Sequence, residues 1–261
     1  MKIAILYICT GRYNLFFPSF YQSSEKYFLP LHSKHYFVFT DDRHISDTDK
    51  ISVTYKECKG FPLDSLFRFN MFLQIKEALQ KYDYIFFFNA NMKFVEYVND
   101  EILPSETDEG LCALLHPGYY RKCKWAYPYE RNKKSTAFIK FDYNKNYKYY
   151  MGALFGGRTN EFLQLSSICN QNIIEDYNKK IIAIFHDESH LNAYLNSKHC
   201  KNLSPEFGFP EGWELPFKPK IMIVNKVRYD KYFDKIKNHS LIHKLYTFSL
   251  KSFKAIIWPF L

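Results

Sequence analysis

The segment His186-Asp187-Glu188-Ser189-His190-Leu191-Asn192 sets two adjacent carboxylates between imidazoles one helical turn apart. Adjacent carboxylates at the end of a strand are costly to bury unless a cation or hydrogen-bond donors accompany them. The two histidines could hold a metal, but the zinc-protease pattern has glutamate directly after the first histidine, and here it stands second. A capped helix start with solvated acids also fits the spacing. A second segment, Asn89-Ala90-Asn91, puts two amides around a small residue after the apolar run Phe86-Phe87-Phe88. A third, Tyr149-Tyr150-Met151-Gly152-Ala153-Leu154-Phe155-Gly156-Gly157-Arg158, carries glycines that would allow backbone to approach a ligand closely or would simply make a tight turn.

Elements that could position these residues are readable from periodicity. Residues 2–9 are apolar and β-branched and end at Thr10-Gly11, which predicts a buried strand. A helix is expected over 14–27, strands over 35–40 and 51–55, and a helix over 64–81 capped by Asp64 with Leu66, Phe69, Phe72, Leu73 and Ile75 on its apolar face. Residues 84–88 form another strand, the apolar run 181–185 reads as a strand leading into His186, and 221–224 is a short one. The stretch 118–148 has no clear period and reads as a long surface excursion. Strands alternating with helices predict an α/β domain with a mostly parallel sheet, whose ligands bind beyond the carboxyl ends of the strands. That directs attention to Thr10-Gly11-Arg12-Tyr13 and Asn89-Ala90-Asn91.

The 261 residues suit one domain with a tail, and the 47% hydrophobic and 24% charged composition is globular. The six cysteines include no CxxC pair, which argues against zinc. Met1-Lys2 runs straight into an apolar strand without a small-residue cleavage site, so reduced thiols and a cytoplasmic location are expected. The net charge is +9, and residues 218–261 contribute +8 of it. A basic end of this kind implies an anionic partner. Nucleic-acid binding is one candidate, with weak support from charge alone.

Taken with Leu115-His116-Pro117-Gly118-Tyr119, Tyr129-Glu130-Arg131 and Leu203-Ser204-Pro205-Glu206, the three segments resemble the histo-blood-group ABO family of glycosyltransferases, glycosyltransferase family six. The order and approximate spacing match from residue 7 to residue 237. The resemblance implies a GT-A fold with a Rossmann-like nucleotide-binding half, a retaining mechanism, and UDP-galactose or UDP-N-acetylgalactosamine as donor. It implies that Glu188 is the catalytic carboxylate, on the face opposite the leaving UDP. It implies that Asp187 and Arg68 contact the donor sugar, that Ile8, Thr10 and Tyr13 form the uridine turn, and that Met151, Gly152 and Ala153 govern donor choice. The acceptor side is assigned His116, Phe185 and Glu188 itself.

Two residues depart from the family pattern. Asn89-Ala90-Asn91 stands where mammalian members carry the Asp-x-Asp that holds manganese, and neutral amides are poor ligands for a hard cation. The chain thus resembles the metal-independent bacterial branch, and no metal or other cofactor is expected. Lys226, Arg228 and Lys231, in the basic stretch 226–237, are the expected counter-charge for the diphosphate. Phe185 stands where many relatives carry an acceptor-stacking tryptophan. N-acetylgalactosamine is put ahead of galactose, and the acceptor is expected to be an oligosaccharide ending in a β-galactoside, α-1,2-fucosylated as in the H antigen. The tail 239–261 mixes Leu, Ile, Phe and Trp with lysines, too charged to span a bilayer. It reads either as an interfacial helix on an anionic membrane or as a helix docked on the body. A metal hydrolase at His186, Glu188 and His190 is the remote alternative.

Overall fold

The computed structural model describes residues 1–237. The amphipathic tail 239–261 therefore lies outside the described residues. Along the chain the strands are β1 (Lys2–Ile8), β2 (Ser33–Thr40), β3 (Ile51–Tyr55), β4 (Tyr84–Asn89), β5 (Met92–Phe94), β6 (Leu111–Leu115), β7 (Tyr150–Arg158), β8 (Lys201–Leu203), β9 (Phe209–Pro210) and β10 (Ile221–Ile223). The helices are α1 (Phe17–Tyr27), α2 (Leu63–Leu66), α3 (Arg68–Gln74), α4 (Lys76–Leu79), α5 (Thr159–Asn178), α6 (His186–Leu195) and α7 (Tyr232–Lys237).

A seven-stranded sheet runs in the order β3-β2-β1-β4-β7-β6-β8, and only β7 opposes the direction of the others. This is the mostly parallel α/β architecture expected from the alternation of elements. A small sheet, β5-β10-β9, flanks it. The strand β4 shows why the centre is rigid. Phe86 and Phe88 face one side and pack with Tyr7, Phe20, Phe28 and Phe94, while Ile85 and Phe87 face the other and pack with Phe69, Phe72, Phe155 and Phe162. Alternation with both faces apolar is the signature of a strand covered on both sides. Each ring so buried stabilises the fold by roughly 1.5–3 kcal/mol relative to exposure.

Several expected elements differ in the structure. The helix expected from residue 14 starts as an α-helix only at Phe17, after a 3-10 turn over Gly11–Phe16, because Pro18 suits a first turn. The helix expected over 64–81 is broken at Phe67 and Ile75 into α2, α3 and α4. Aromatic and β-branched residues are weaker helix formers, and they stand at the two breaks. Asp64 does not cap that helix; its carboxylate accepts instead from the backbone N–H of Lys59 and Gly60 and from the Thr10 hydroxyl. Residues 181–185 form no strand. The N–H of Ile184 goes to the Glu130 carboxylate and that of Phe185 to Ser189 Oγ, so side chains replace a ladder. The excursion 118–148 is irregular, as expected, but it buries Tyr129, Ile139, Tyr147 and Tyr149 in a small core of its own.

Two glycines of β7, Gly156 and Gly157, also have a different use from close approach to a ligand. A Cβ at Gly156 would stand 2.3 Å from the Phe86 ring, and one at Gly157 would stand 2.3 Å from the Gly110 carbonyl. Their absence of side chain lets strands and turns close on each other, not on a ligand.

Candidate active site

The carboxyl ends of β1 and β4, the start of the opposed β7, and the first turn of α6 meet at one edge of the sheet. Two adjoining cavities lie there. The first, about 270 Å³, is lined by Ile8, Thr10, Gly11, Tyr13, Asn91 and Lys226 among others. The second, about 370 Å³, is lined by Met151, Gly152, Ala153, Phe185, Asp187 and Glu188 among others. Phe61, Ser65, Arg68 and Asn89 line both, so the two form one trough.

The chemistry concentrates at α6. His186 is in the left-handed conformation, φ 50°, a position unusual for a residue with a side chain, and it aims the following two carboxylates at the trough. Glu188 is held by two donors: the Tyr149 hydroxyl donates to Oε1 at 2.7 Å, and the Gly152 N–H donates to Oε2 at 2.7 Å. Burial pushes the Glu188 carboxyl up to about 7, against the lowering pull of those two donors and of Arg68. Asp187 is buried 3.0 Å from Arg68 Nε. Its burial raises it to about 6, with Arg68 pulling the other way. Asp187 Oδ2 lies off the line of that N–H and has no hydrogen-bond partner among the described residues, which leaves it an acceptor for a ligand hydroxyl. Arg68 is itself fixed, with Nη1 donating to the Gly152 carbonyl at 2.5 Å and its guanidinium over the Phe87 ring at 4.6 Å. The break at Phe67 is what turns Arg68 into this position.

The rest of the HDESHLN segment is architectural. Ser189 accepts the Phe185 N–H, and Asn192 bridges the Tyr150 backbone to the Glu188 carbonyl. His190 is turned away from the trough, 3.8 Å from Asp176 on α5, and burial pushes its imidazole down to about 4. His186 packs its ring edge-on to Phe61 at 4.8 Å. Among the described residues no three His, Cys, Asp or Glu side chains converge as a metal site requires. The metal-hydrolase alternative fails on the position of His190, which faces the protein interior.

At the other walls, His116 follows β6. Its Nδ1 accepts the Gly118 N–H at 3.0 Å, which assigns the proton of the neutral ring to Nε2. Burial lowers its pKa to about 4, so it stays a neutral donor. A Cβ built at Gly118 would lie 3.8 Å from the half-exposed Trp213, which stands on a turn with Gly212 at φ 81°. Phe185 lines the sugar-side cavity. Asn91, at the end of β4, donates its amide to the Val224 carbonyl at 3.0 Å, while Ala90 receives the Tyr7 hydroxyl on its carbonyl.

The basic residues separate. Lys226 lines the first cavity, with its ammonium 2.9 Å from the Tyr13 hydroxyl and 4.9 Å from that ring's centre. Arg228 is 65% exposed and paired with Glu211 at 2.5 Å; Glu211 also accepts the Asn225 N–H. Lys231 is exposed and lines neither cavity. Arg12, named in the sequence only as part of the turn after β1, lines the first cavity and pairs with Asp230 at 3.5 Å. Phe61 was missed, whereas Tyr149 and Asn192 were named only within their segments and Asp64 only as a helix cap, none with the role it has here. Tyr149 lies just before β7 and reaches α6 through its bond to Glu188.

A family model described as Glycosyltransferase family 6 matches residues 1–242. The chain belongs to glycosyltransferase family 6. It is 38% identical over 236 residues to "O-antigen biosynthesis glycosyltransferase WbnI" of Escherichia coli, covering 89% of this chain and 98% of that protein. It is 33% identical over 242 residues to "Histo-blood group ABO system transferase 2" of Rattus norvegicus, covering 87% of this chain and 68% of that one. It is 29% identical over 248 residues to "Globoside alpha-1,3-N-acetylgalactosaminyltransferase 1" of Gallus gallus, covering 91% and 70%. The resemblance read from the motifs therefore holds, the enzyme is a glycosyltransferase, and its mixed α/β sheet is the GT-A-like fold of family 6.

Proposed function

We propose that this family 6 enzyme transfers N-acetylgalactosamine from its UDP ester, with retention, to the 3-hydroxyl of a terminal galactose on a surface glycan, without a divalent cation. The observation that carries the reading is Glu188, gripped by the Tyr149 hydroxyl and the Gly152 N–H at the mouth of a trough whose far half is lined by the uridine-turn residues. A retaining transfer needs a carboxylate on the sugar face opposite the departing UDP, as nucleophile or as partner of the oxocarbenium ion. Asp187 and Arg68 serve the sugar hydroxyls, and the orphaned Asp187 Oδ2 supports that role. Neutral His116, whose ring lies 5.7 Å from that of Tyr149, donates from Nε2 to an acceptor hydroxyl, and Phe185 lines the sugar-side cavity.

The donor set at the end of β4 does not fit manganese. Asn89 and Asn91 are neutral, and the Asn91 amide is committed to Val224. Lys226 supplies the counter-charge for the diphosphate, with Arg12 beside it and Arg228 and Lys231 available from the same basic stretch. Ala153 lines the sugar-side cavity, and its methyl adds bulk that favours galactose, but N-acetylgalactosamine is put ahead because the metal-free branch that the chain resembles uses it. The name of the globoside transferase points the same way. Galactose is the second reading, since one methyl discriminates by only about 1–3 kcal/mol. The name of the O-antigen enzyme favours a bacterial surface glycan as acceptor, and an H-antigen-like α-1,2-fucosylated β-galactoside fits the family. The work then lies on the cytoplasmic side, with the tail against the membrane; activity found only in the soluble fraction after lysis would remove that contact.

The test is an incubation with each UDP-sugar and with plain or fucosylated lactose, with and without a strong chelator, followed by linkage analysis. Transfer that persists in chelator and runs faster with UDP-N-acetylgalactosamine is expected. Activity that returns only with added manganese sinks the metal-free reading.

A further inference from the structure

The mechanism uses the carboxylates of α6, and within that helix Ser189 accepts the Phe185 N–H just ahead of the left-handed residue at His186. The segment before it, residues 181–185, has no ladder to fix it. A second tie comes from the irregular excursion. Glu130 is 6% exposed, and its carboxylate is divided between two tasks. Oε1 accepts the N–H groups of Arg131 and Asn132, each at 2.8 Å, and so folds its own loop. Oε2 reaches across to the Ile184 N–H at 2.7 Å, four residues before Glu188. The same loop is tied to α5 by Asp176, which accepts the Ser135 hydroxyl and the Thr136 N–H. Its far end returns as Tyr149, the hydroxyl donor to Glu188, whose ring lies 5.5 Å from that of Tyr129, the neighbour of Glu130.

We propose that Glu130 is a positioning residue for transfer: by gripping the Ile184 N–H it fixes the entry to α6 and so aims Asp187 at Arg68 and Glu188 at Tyr149 and Gly152. The inference rests on the assignment of Glu188 proposed above. A buried carboxylate spends its ionised lone pairs on N–H donors only where geometry is fixed, and a charge-assisted bond of this kind is stronger than a neutral one. Releasing Ile184 leaves the turn at His186 free to relax toward ordinary backbone, and a displacement of 1 Å at the reacting carboxylate is enough to slow a positioned reaction by about a hundredfold.

The test compares Glu130→Asp, Glu130→Gln and Glu188→Gln in the full chain. Aspartate keeps a short-range acceptor for the N–H two residues on, as in an Asx turn, but is one methylene too short for Ile184. Glutamine offers one accepting oxygen for two tasks. Expected for both Glu130 variants are a UDP affinity within twofold of the parent, a kcat lower by 10-fold or more, and an acid limb of the kcat profile moved to higher pH as Glu188 loses its donors. Parent-like kcat and pH profile in Glu130→Asp would overturn the proposal. So would a parallel loss of UDP binding and of the thermal transition in both variants, which assigns Glu130 to folding alone. Glu188→Gln separates the two readings: if it is as active as the parent, the assignment of Glu188 fails, whereas an inactive Glu188→Gln beside fully active Glu130 variants fails this inference only.

Discussion

Glu188 and Asp187 share a charge problem that the folded chain solves only in part. Two neighbouring carboxyls are buried with a single guanidinium, and burial wins, raising them to about 7 and about 6. In the unfolded chain both titrate near the ordinary carboxylate range. As pH rises from about 4.5 to about 7 the unfolded chain sheds these protons before the folded one, so stability is full below that window and falls through it. Glu188→Gln is therefore expected to match the parent in thermal stability at pH 5 and to exceed it at pH 8 by about 2 kcal/mol, while transfer falls at least a thousandfold and UDP still binds. Equal melting curves at pH 8 would refute the burial argument. Activity carries the opposite sign, because a nucleophile must be ionised: the parent kcat rises as pH passes through about 7. Tyr149→Phe removes one of the two donors that favour the ionised form. Its kcat limb is expected to move to higher pH with about tenfold lower turnover at pH 7, read from initial rates across pH.

The elements show what a sequence discloses and what it withholds. The strands β1, β2 and β4 were legible because burial on both faces writes continuous apolar runs, while β3 and β10 were read from short β-branched or apolar stretches that are only half buried. The run 181–185 is just as apolar and is no strand, because the periodicity of five residues cannot reveal that Glu130 and Ser189 claim the backbone donors. The helix breaks at Phe67 and Ile75 were illegible for a similar reason: what matters there is where Arg68 must reach, a tertiary fact. Carboxylates, His116 and the glycine triplet were found through resemblance, whereas Tyr149, hidden among 22 tyrosines, was not. Asn91 belongs to this scale because its amide ties the end of β4 to the residue that follows β10. Asn91→Asp cannot donate and sets a carboxylate against the Val224 carbonyl, at a cost of about 1–3 kcal/mol. A melting point lower by several degrees and a raised donor KM are expected, since the Lys226 turn begins two residues later. A parent-like donor KM would show that this tie does not govern the turn.

Across the whole molecule, charge and shape are divided between two substrates. The trough ends at Lys226, and the turn bearing Trp213 stands beside Gly118, two residues after His116. Glu211 stands on that turn and holds both the Asn225 N–H and Arg228, so this turn and the stretch carrying Lys226 share one carboxylate. Whatever stiffens one stiffens the other, and equilibrium linkage requires the favour to be returned in equal measure. Calorimetry should find UDP bound about 3- to 10-fold more tightly when the glycan is already seated, and the glycan bound more tightly by the same factor when UDP is present. Glu211→Gln should bring both ratios toward one. An enzyme wired in this way spares its activated sugar from water, because the nucleotide half closes fully only in the company of the hydroxyl that is to receive the sugar.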